Sequence, residues 1–306
     1  MADAIKWLPL SGKVQFDKNQ IKFIPVKSVD IHGKEVKPSA TTGSNKDFDN
    51  GEIRFKVKFA DTTSNMQVIL NSFTNSPIIH IALNTVGAYG ILKLKDGKFE
   101  LIAASGISGN YLPNTFYDIK VQIIGSKISL FVNDILVIVA DEIIKKAQIQ
   151  LGFFGESEIV VSDFKVNDEK SKAFVVMQFS QDFNDLYNEV IRPVCEGFDL
   201  ECIRADECFT TGSIIEDIIS KITESFVIIA DITPNNPNVY YEVGYAHAIN
   251  KPTILLSDKK RDSLPFDVSS FRTLFYDNTI AGKRNVEEKL KSYLESITLR
   301  KFKEKK

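Results

Sequence analysis

Apolar and polar residues alternate with period two along much of the first half, from Val14 to Val166. Ile53, Phe55, Val57 and Phe59 alternate with Glu52, Arg54, Lys56 and Lys58, which predicts an antiparallel strand with one face in water. Leu92 and Leu94, then Asp96-Gly97, then Phe99 and Leu101 predict a hairpin, because Asp-Gly tolerates the positive φ angles of a type I′ turn. Tyr117 to Ile123, Ile128 to Val132 and Ile135 to Val139 continue the alternation across Gly125-Ser126 and Asn133-Asp134. A last pair follows at Ile149–Phe153 and Ile159–Val166, and a helical turn is expected between Asp141 and Lys146. Short strands at regular spacing with polar turns predict an all-β sandwich or barrel over residues 1–168.

The pattern changes after Asn167–Lys172 (NDEKSK), a polar stretch that reads as a linker. Ala173–Phe179, Leu200–Ile203, Phe226–Ala230, Pro252–Leu256 and Thr273–Tyr276 are short, nearly continuous apolar runs, as strands buried on both faces require. Helical spacing separates them. Phe183, Leu186, Tyr187, Val190 and Val194 mark one helix, disturbed by Pro193 and ended by Gly197. Ser213 and Glu216 have capping-box spacing before Ile214, Ile215, Ile218, Ile219 and Ile222. Asn238–Asn250 and the stripe Val286, Leu290, Tyr293, Leu294 and Ile297 give two more helices. Strict alternation over residues 172–306 predicts an α/β flavodoxin-like domain, a doubly wound parallel sheet.

Composition narrows the functions. A net charge of −2 offers no global field for nucleic acid, and KFKEKK at the end is too short to change that; it is expected to be a solvated tail. No run of 18 apolar residues predicts a membrane span, and MADAIKWLPL lacks a secretory core. Cys195, Cys202 and Cys208 are odd in number and lack zinc-ligand spacing, so a reducing, cytoplasmic setting without a structural metal is expected. His80 reads as a plain strand histidine, and Trp7 as an anchor for the first segment. A glycan or protein ligand, or a scaffold role, remains open for the sandwich.

In a doubly wound sheet, ligands bind beyond the C-terminal ends of the strands, beside the point where the winding reverses. That rule selects Gln178 and Phe179 after the first strand of the second domain, Arg204 and Asp206 after the second, and Asp231 after the third. The next helix would bring Asn238, Tyr241 and Glu242 to the same crevice. Asp231 reads either as a loop cap or as a ligand contact, and Asn238 as a helix N-cap. Glu242 is placed in the first helical turn, where the dipole favours a carboxylate. It is a single carboxylate among Val239, Tyr241, Val243, Gly244 and Ala246, so it is either buried and paired or facing a pocket. His247 is read as structural, and Lys259, Lys260 and Arg261 as a solvated loop. Neither a P-loop nor a GxGxxG is present.

The segments FVVMQFSQDFNDLYNEVIRPVCEGF, IRADE and SIIEDIISKITESFVIIADITPNNPNVYYEVGYAHAINKPTILL resemble the nucleoside 2-deoxyribosyltransferase and TIR-like superfamily over about residues 172 to 280. The strand order of the first half resembles a concanavalin-like or laminin-G-like jelly roll. The first resemblance implies that Glu242 acts on the anomeric carbon of a sugar and that Asp231 contacts that sugar. It implies a nucleotide ligand, NAD⁺ as substrate rather than cofactor, and a homo-oligomer. This chain departs from the deoxyribosyltransferase pattern, with Gln178 in its first loop and Asn235, Asn236 and Asn238 where a further Asp is usual. A neutral purine needs a proton to leave, whereas nicotinamide leaves from a cation and does not. Three functions stay open: an N-glycosidase acting on NAD⁺ or a related nucleotide, a non-catalytic nucleotide or cyclic-nucleotide sensor, and a nucleoside 2-deoxyribosyltransferase.

Overall fold

The computed structural model describes residues 5–29, 35–74, 76–207, 213–261, 263–298 and 302. Cys208 and every residue of the KFKEKK end except Phe302 lie outside them. The chain divides into two compact units, residues 1–123 with 127–169, and residues 170–306 with 124–126.

The first unit is built from β1 (Trp7–Ser11), β2 (Val14–Asp17), β3 (Gln20–Phe23), β4 (Ser28–Val29), β5 (Glu35–Val36), β6 (Ser39–Phe48), β7 (Gly51–Phe59) and β8 (Asn65–Leu70). It continues with β9 (Ile78–Leu83), β10 (Tyr89–Lys95), β11 (Lys98–Ser105), β12 (Phe116–Ile124), β13 (Lys127–Val132), β14 (Ile135–Asp141), β15 (Ala147–Phe154) and β16 (Ile159–Asp168). Two seven-stranded sheets run in the orders β1-β6-β15-β8-β9-β10-β11 and β14-β13-β12-β7-β16-β3-β2. Strands β4 and β5 make a separate small ribbon.

Period-two burial closes these sheets into an antiparallel sandwich. On β7, Ile53, Phe55, Val57 and Phe59 are buried while Arg54 and Lys56 are exposed. Ile53, Phe55 and Val57 pair in register with Val121, Ile119 and Tyr117 of β12, and Phe59 with Ile159 of β16. The opposite sheet contributes Val68, Ile81, Leu151 and Phe153 to the same core. The two hairpin signals are met: Asp96 and Gly97, then Asn133 and Asp134, all take the positive φ a type I′ turn needs. Trp7 packs edge-on against Phe164 at 5.0 Å, which anchors β1. The helical turn expected between Asp141 and Lys146 is absent; β14 runs through Asp141 and residues 142–146 are irregular.

The second unit alternates as its pattern requires. β17 (Lys172–Val176) leads into α1 (Gln181–Leu186), a π-helical turn (Tyr187–Ile191) and α2 (Arg192–Gly197). β18 (Glu201–Arg204), a 3₁₀ turn (Ala205–Glu207), α3 (Ile214–Glu224), β19 (Val227–Asp231) and α4 (Pro237–Ala248) follow. β20 (Thr253–Asp258), α5 (Phe266–Ser269), β21 (Thr273–Tyr276) and α6 (Ile280–Thr298) complete it. The sheet order is β18-β17-β19-β20-β21, and every pairing in it is parallel. On one face Phe174, Val176, Ile228 and Ala230 meet Ile222 of α3 and Val239, Val243 and Ala246 of α4. On β17 and β19 the alternating residues Ala173, Val175, Val227 and Ile229 are equally buried, and α2 and α6 pack together with β18 and β21.

Local details correct several expectations. Pro193 cannot donate to the ladder, and the helix before it resets through a π bond from the Arg192 amide to the Tyr187 carbonyl. Ser213 is the N-cap of α3 but makes no side-chain cap bond, so the capping box does not form. Residues 167–168 belong to β16 and residue 172 to β17, leaving only three residues of the expected linker between strands. Phe302 packs against Phe198 at 5.6 Å rather than standing in solvent.

Helix α4 closes with Asn250 in the left-handed region, the Asn250 amide on the His247 carbonyl and the Lys251 amide on the Ala246 carbonyl. Lys251, only 4% exposed, then sends its ammonium to the carbonyls of Thr223 and Ser225, at 2.6 and 2.7 Å. One buried cation thus ties the end of α3 to the end of α4. Lys251→Met is expected to cost about 2–3 kcal/mol by leaving both carbonyls short of a donor. Urea unfolding monitored by far-UV circular dichroism checks this; a loss below 0.5 kcal/mol would mean the tie carries no weight.

Candidate active site

The site grows from the end of β19. Asp231 is fully buried and accepts from the Thr233 amide at 2.8 Å and from the Tyr276 hydroxyl at 2.7 Å. Thr233 Oγ1 lies 3.2 Å from the same hydroxyl and accepts from the Asp258 amide at 2.9 Å. Burial pushes the Asp231 carboxyl up to about 6, although the Thr233 and Tyr276 bonds favour its charged form. Of the two readings open for Asp231, the structure shows the cap. Its side chain turns the chain out of the sheet and joins the ends of β19, β20 and β21.

The loop then enters α4. Asn236, not Asn238, is the N-cap: its Oδ1 accepts from the Asn238 amide at 3.0 Å, and Pro237 occupies the first helical position. This start places Glu242 in the second turn, so favourable dipole contact in the first turn does not account for it. Val239, Val243 and Ala246 hold α4 on the sheet. Asn238, Tyr241 and Glu242 follow at i, i+3 and i+4 and share a neighbouring face.

That face forms one wall of a cleft of about 870 Å³. Met177, Gln178 and Phe179 line it beyond β17, Ala205 beyond β18, and Ile214, Ile215, Asp217 and Ile218 from α3. Glu242 is 8% exposed, and among the described residues no hydrogen bond or ion pair reaches its carboxylate. Burial pushes it up to about 7. It is therefore a carboxyl balanced between acid and base at neutral pH, on the wall of a mostly apolar cleft.

Five of the eight sequence-selected residues, Gln178, Phe179, Asn238, Tyr241 and Glu242, line this cleft; Arg204, Asp206 and Asp231 do not. Arg204 is buried and makes a two-pronged pair with Asp206, at 2.7 and 2.6 Å. Its third donor reaches Asn184 Oδ1 at 2.8 Å, and its plane lies 4.4 Å from the Tyr187 ring centre and 5.4 Å from that of Phe179. Arg204 and Asp206 thus brace the loop that carries Phe179. His247 stacks on Phe271 at 4.0 Å, and Arg261 donates to the carbonyls of Ile232, Thr233 and Ser263.

No family model and no curated protein matches the sequence. Solved structures do. A carbohydrate-binding module (CBM66) from Bacillus subtilis overlaps 52% of this chain and 92% of its own, with 12% identity and a TM-score of 0.37. A β-glucanase from Bacillus licheniformis overlaps 54% and 92%, with 8% identity and a TM-score of 0.38. A Bacillus subtilis protein of unknown function with a galectin-like fold overlaps 54% and 89%, with 10% identity and a TM-score of 0.39.

Sequence reasoning missed Asp217. It stands three residues after Ile214 and one before Ile218, within the stripe of isoleucines that marked α3. An acid inside an apolar stripe was the available signal. Ile214 and Ile215 are 75% and 56% exposed, so the first turn of that stripe faces the cleft and not the core. No helix among the described residues is long and apolar enough to cross a membrane, and no cluster of His, Cys, Asp and Glu among them has a metal-binding arrangement.

Proposed function

We propose that the second unit is an N-glycosidase that cleaves the bond between a ribose and its base, with Glu242 as the carboxylate beneath the anomeric carbon and NAD⁺ as the first substrate to test. The observation that carries this reading is Glu242 itself: buried, without a hydrogen-bond or ion-pair partner among the described residues, and lining a cleft large enough for a nucleoside. As the glycosidic bond breaks, positive charge builds on the sugar, and a carboxylate on the wall of a mostly apolar cleft stabilises it strongly. The same group can add to the sugar and release it to water. Phe179 and Tyr241, both more than half exposed at the cleft, offer flat faces for a base. The strand order, with the winding reversing beside β17, supports a flavodoxin-like doubly wound sheet; its assignment to the TIR and deoxyribosyltransferase kind is part of the proposal. The sandwich is read as a concanavalin-like jelly roll that recognises a glycan or protein and regulates the second unit.

One observation favours a sensor as the second reading. Burial leaves Glu242 partly protonated at neutral pH, and a protonated carboxyl would hydrogen-bond a nucleotide without attacking it. Incubation of the full chain with a panel of nucleosides and nucleotides, followed by mass spectrometry, separates the two. Release of free base from at least one member is expected. Intact ligand bound after long incubation, with no base released, would replace the enzyme by the sensor.

A further inference from the structure

We propose that Arg204 is the positioning residue of this cleft: it pins both ends of the loop that carries Gln178 and Phe179, and so sets the affinity for the base without touching the reacting atoms. This rests on the reading of the cleft as a base-binding site and adds what holds its aromatic wall.

The cleft wall beyond β17 is a short loop. β17 ends at Val176 and α1 begins at Gln181, so residues 177–180 carry Gln178 and Phe179 past the strand end. Phe179 is 53% exposed, so burial alone does not hold its ring. Among the described residues its one aromatic or charged contact is the Arg204 guanidinium, 5.4 Å from the ring centre.

Arg204 is buried at the end of β18, in register with Val175 of β17. Its Nη1 reaches Met177 Sδ at 4.0 Å where the loop begins, and Asn184 Oδ1 at 2.8 Å beyond the loop's end. The Asn184 amide in turn donates to the Ser180 carbonyl at 2.9 Å, which fixes the exit of the loop. Nε and Nη2 donate to the two oxygens of Asp206, at 2.7 and 2.6 Å, and Ala205 between these partners also lines the cleft. A guanidinium forked to a carboxylate cannot swivel, so its contacts fix the loop relative to the sheet. Tyr187 completes the support. Its ring is fully buried, with Arg204 4.4 Å from its centre. Tyr187 opens the π turn Tyr187–Ile191, so the irregular helix ahead of Pro193 supplies the ring on which the guanidinium rests.

Glu242 stands apart from this cluster. Val239, Val243 and Ala246 hold its helix on the sheet, and no hydrogen bond or ion pair among the described residues joins Glu242 to Arg204, Asp206 or Asn184. Loosening the loop therefore leaves the reacting carboxylate in place and acts on the ligand. A free loop must be ordered each time a ligand binds, and that cost falls on KM when chemistry is slower than dissociation.

The test measures base release from NAD⁺ by the full chain, with calorimetry of NAD⁺ binding to the same variants made in Glu242→Gln. Asn184→Ala and Arg204→Lys are expected to raise KM about fivefold or more, with kcat within about threefold of wild type. Lysine keeps the charge but cannot fork to Asp206 and Asn184 together. Asn184→Ala removes a neutral side chain and keeps the test standing should Arg204→Lys fail to fold. Phe179→Ala should raise KM by a similar factor, and adding Asn184→Ala to it should raise KM less than about twofold further, because both act through one ring. An unchanged KM in Asn184→Ala, a kcat loss beyond about threefold, or effects of Asn184→Ala and Phe179→Ala that multiply in full would overturn the positioning role and leave the N-glycosidase standing. If wild type does not cleave NAD⁺, the enzyme reading falls for that substrate and calorimetry decides the rest. NAD⁺ binding weakened about fivefold or more by Asn184→Ala would uphold the role; equal binding, or none to Glu242→Gln, would overturn it.

Discussion

Glu242→Gln is expected to lower base release by a factor on the order of 10³ or more while leaving the fold intact. Glutamine keeps the shape of the side chain but cannot carry charge beneath the anomeric carbon or form a glycosyl ester. The same change is expected to stabilise the protein at pH 8. The carboxyl is raised from 4.5 to about 7 in the folded chain, by burial. A group raised on folding contributes fully below its unfolded value and loses that contribution as pH rises through its folded value. Above pH 7 the ionised Glu242 therefore costs stability, up to about 3 kcal/mol for a shift of this size. Glutamine removes the cost. Loss of activity together with a gain in melting temperature is the signature of a group kept for chemistry. A variant that is inactive and also less stable at pH 8 would point to a structural role.

The second large effect concerns Asp231. Asp231→Ala is expected to cost about 2–4 kcal/mol, because the Tyr276 hydroxyl and the Thr233 amide both lose their buried acceptor. Asp231→Asn should stay within about 1 kcal/mol of the parent at pH 7. Its amide oxygen can still accept from Thr233, and it avoids the burial that lifts the carboxyl to about 6. The sign is again that of a raised acid: the stabilising contribution is complete below about pH 4 and is lost as pH rises through 6. Denaturant unfolding of both variants at pH 5 and pH 7.5 reads this directly. Asparagine as damaging as alanine at pH 7.5 would show that the negative charge itself is needed.

Much of the fold was legible because its signals are local. Period-two alternation on β7 and the Asp96-Gly97 turn report only nearest neighbours, and both are realised. The apolar runs of β17 and β19 could be read as buried on both faces because VIIA and AFVV leave no polar face to turn to water. Ends were less legible. Asn236 and Asn238 are equally good caps by type, and Pro237 between them decides for Asn236 by its fixed φ. That two-residue difference moved Glu242 out of the first turn without moving it off the cleft. Side-chain direction was least legible. Arg204, Asp206 and Asp231 sit at strand ends where ligands bind, yet Arg204 and Asp206 satisfy each other, and Asp231 turns inward to Tyr276, 45 residues away in sequence. Asp217 went unseen because it belongs to a helix wall and not to a strand end.

The most direct test of Glu242 as the reactive carboxylate is the pH profile of kcat/KM for base release, measured between pH 5 and 9 for wild type and Glu242→Gln with the same pyridinium substrate. The wild-type rate is expected to rise about tenfold per pH unit below 7 and to level off above it, as the carboxylate ionises, and the residual rate of the variant to lack this step. A wild-type profile that is flat through pH 7, or a variant that keeps both the step and the rate, would contradict that role.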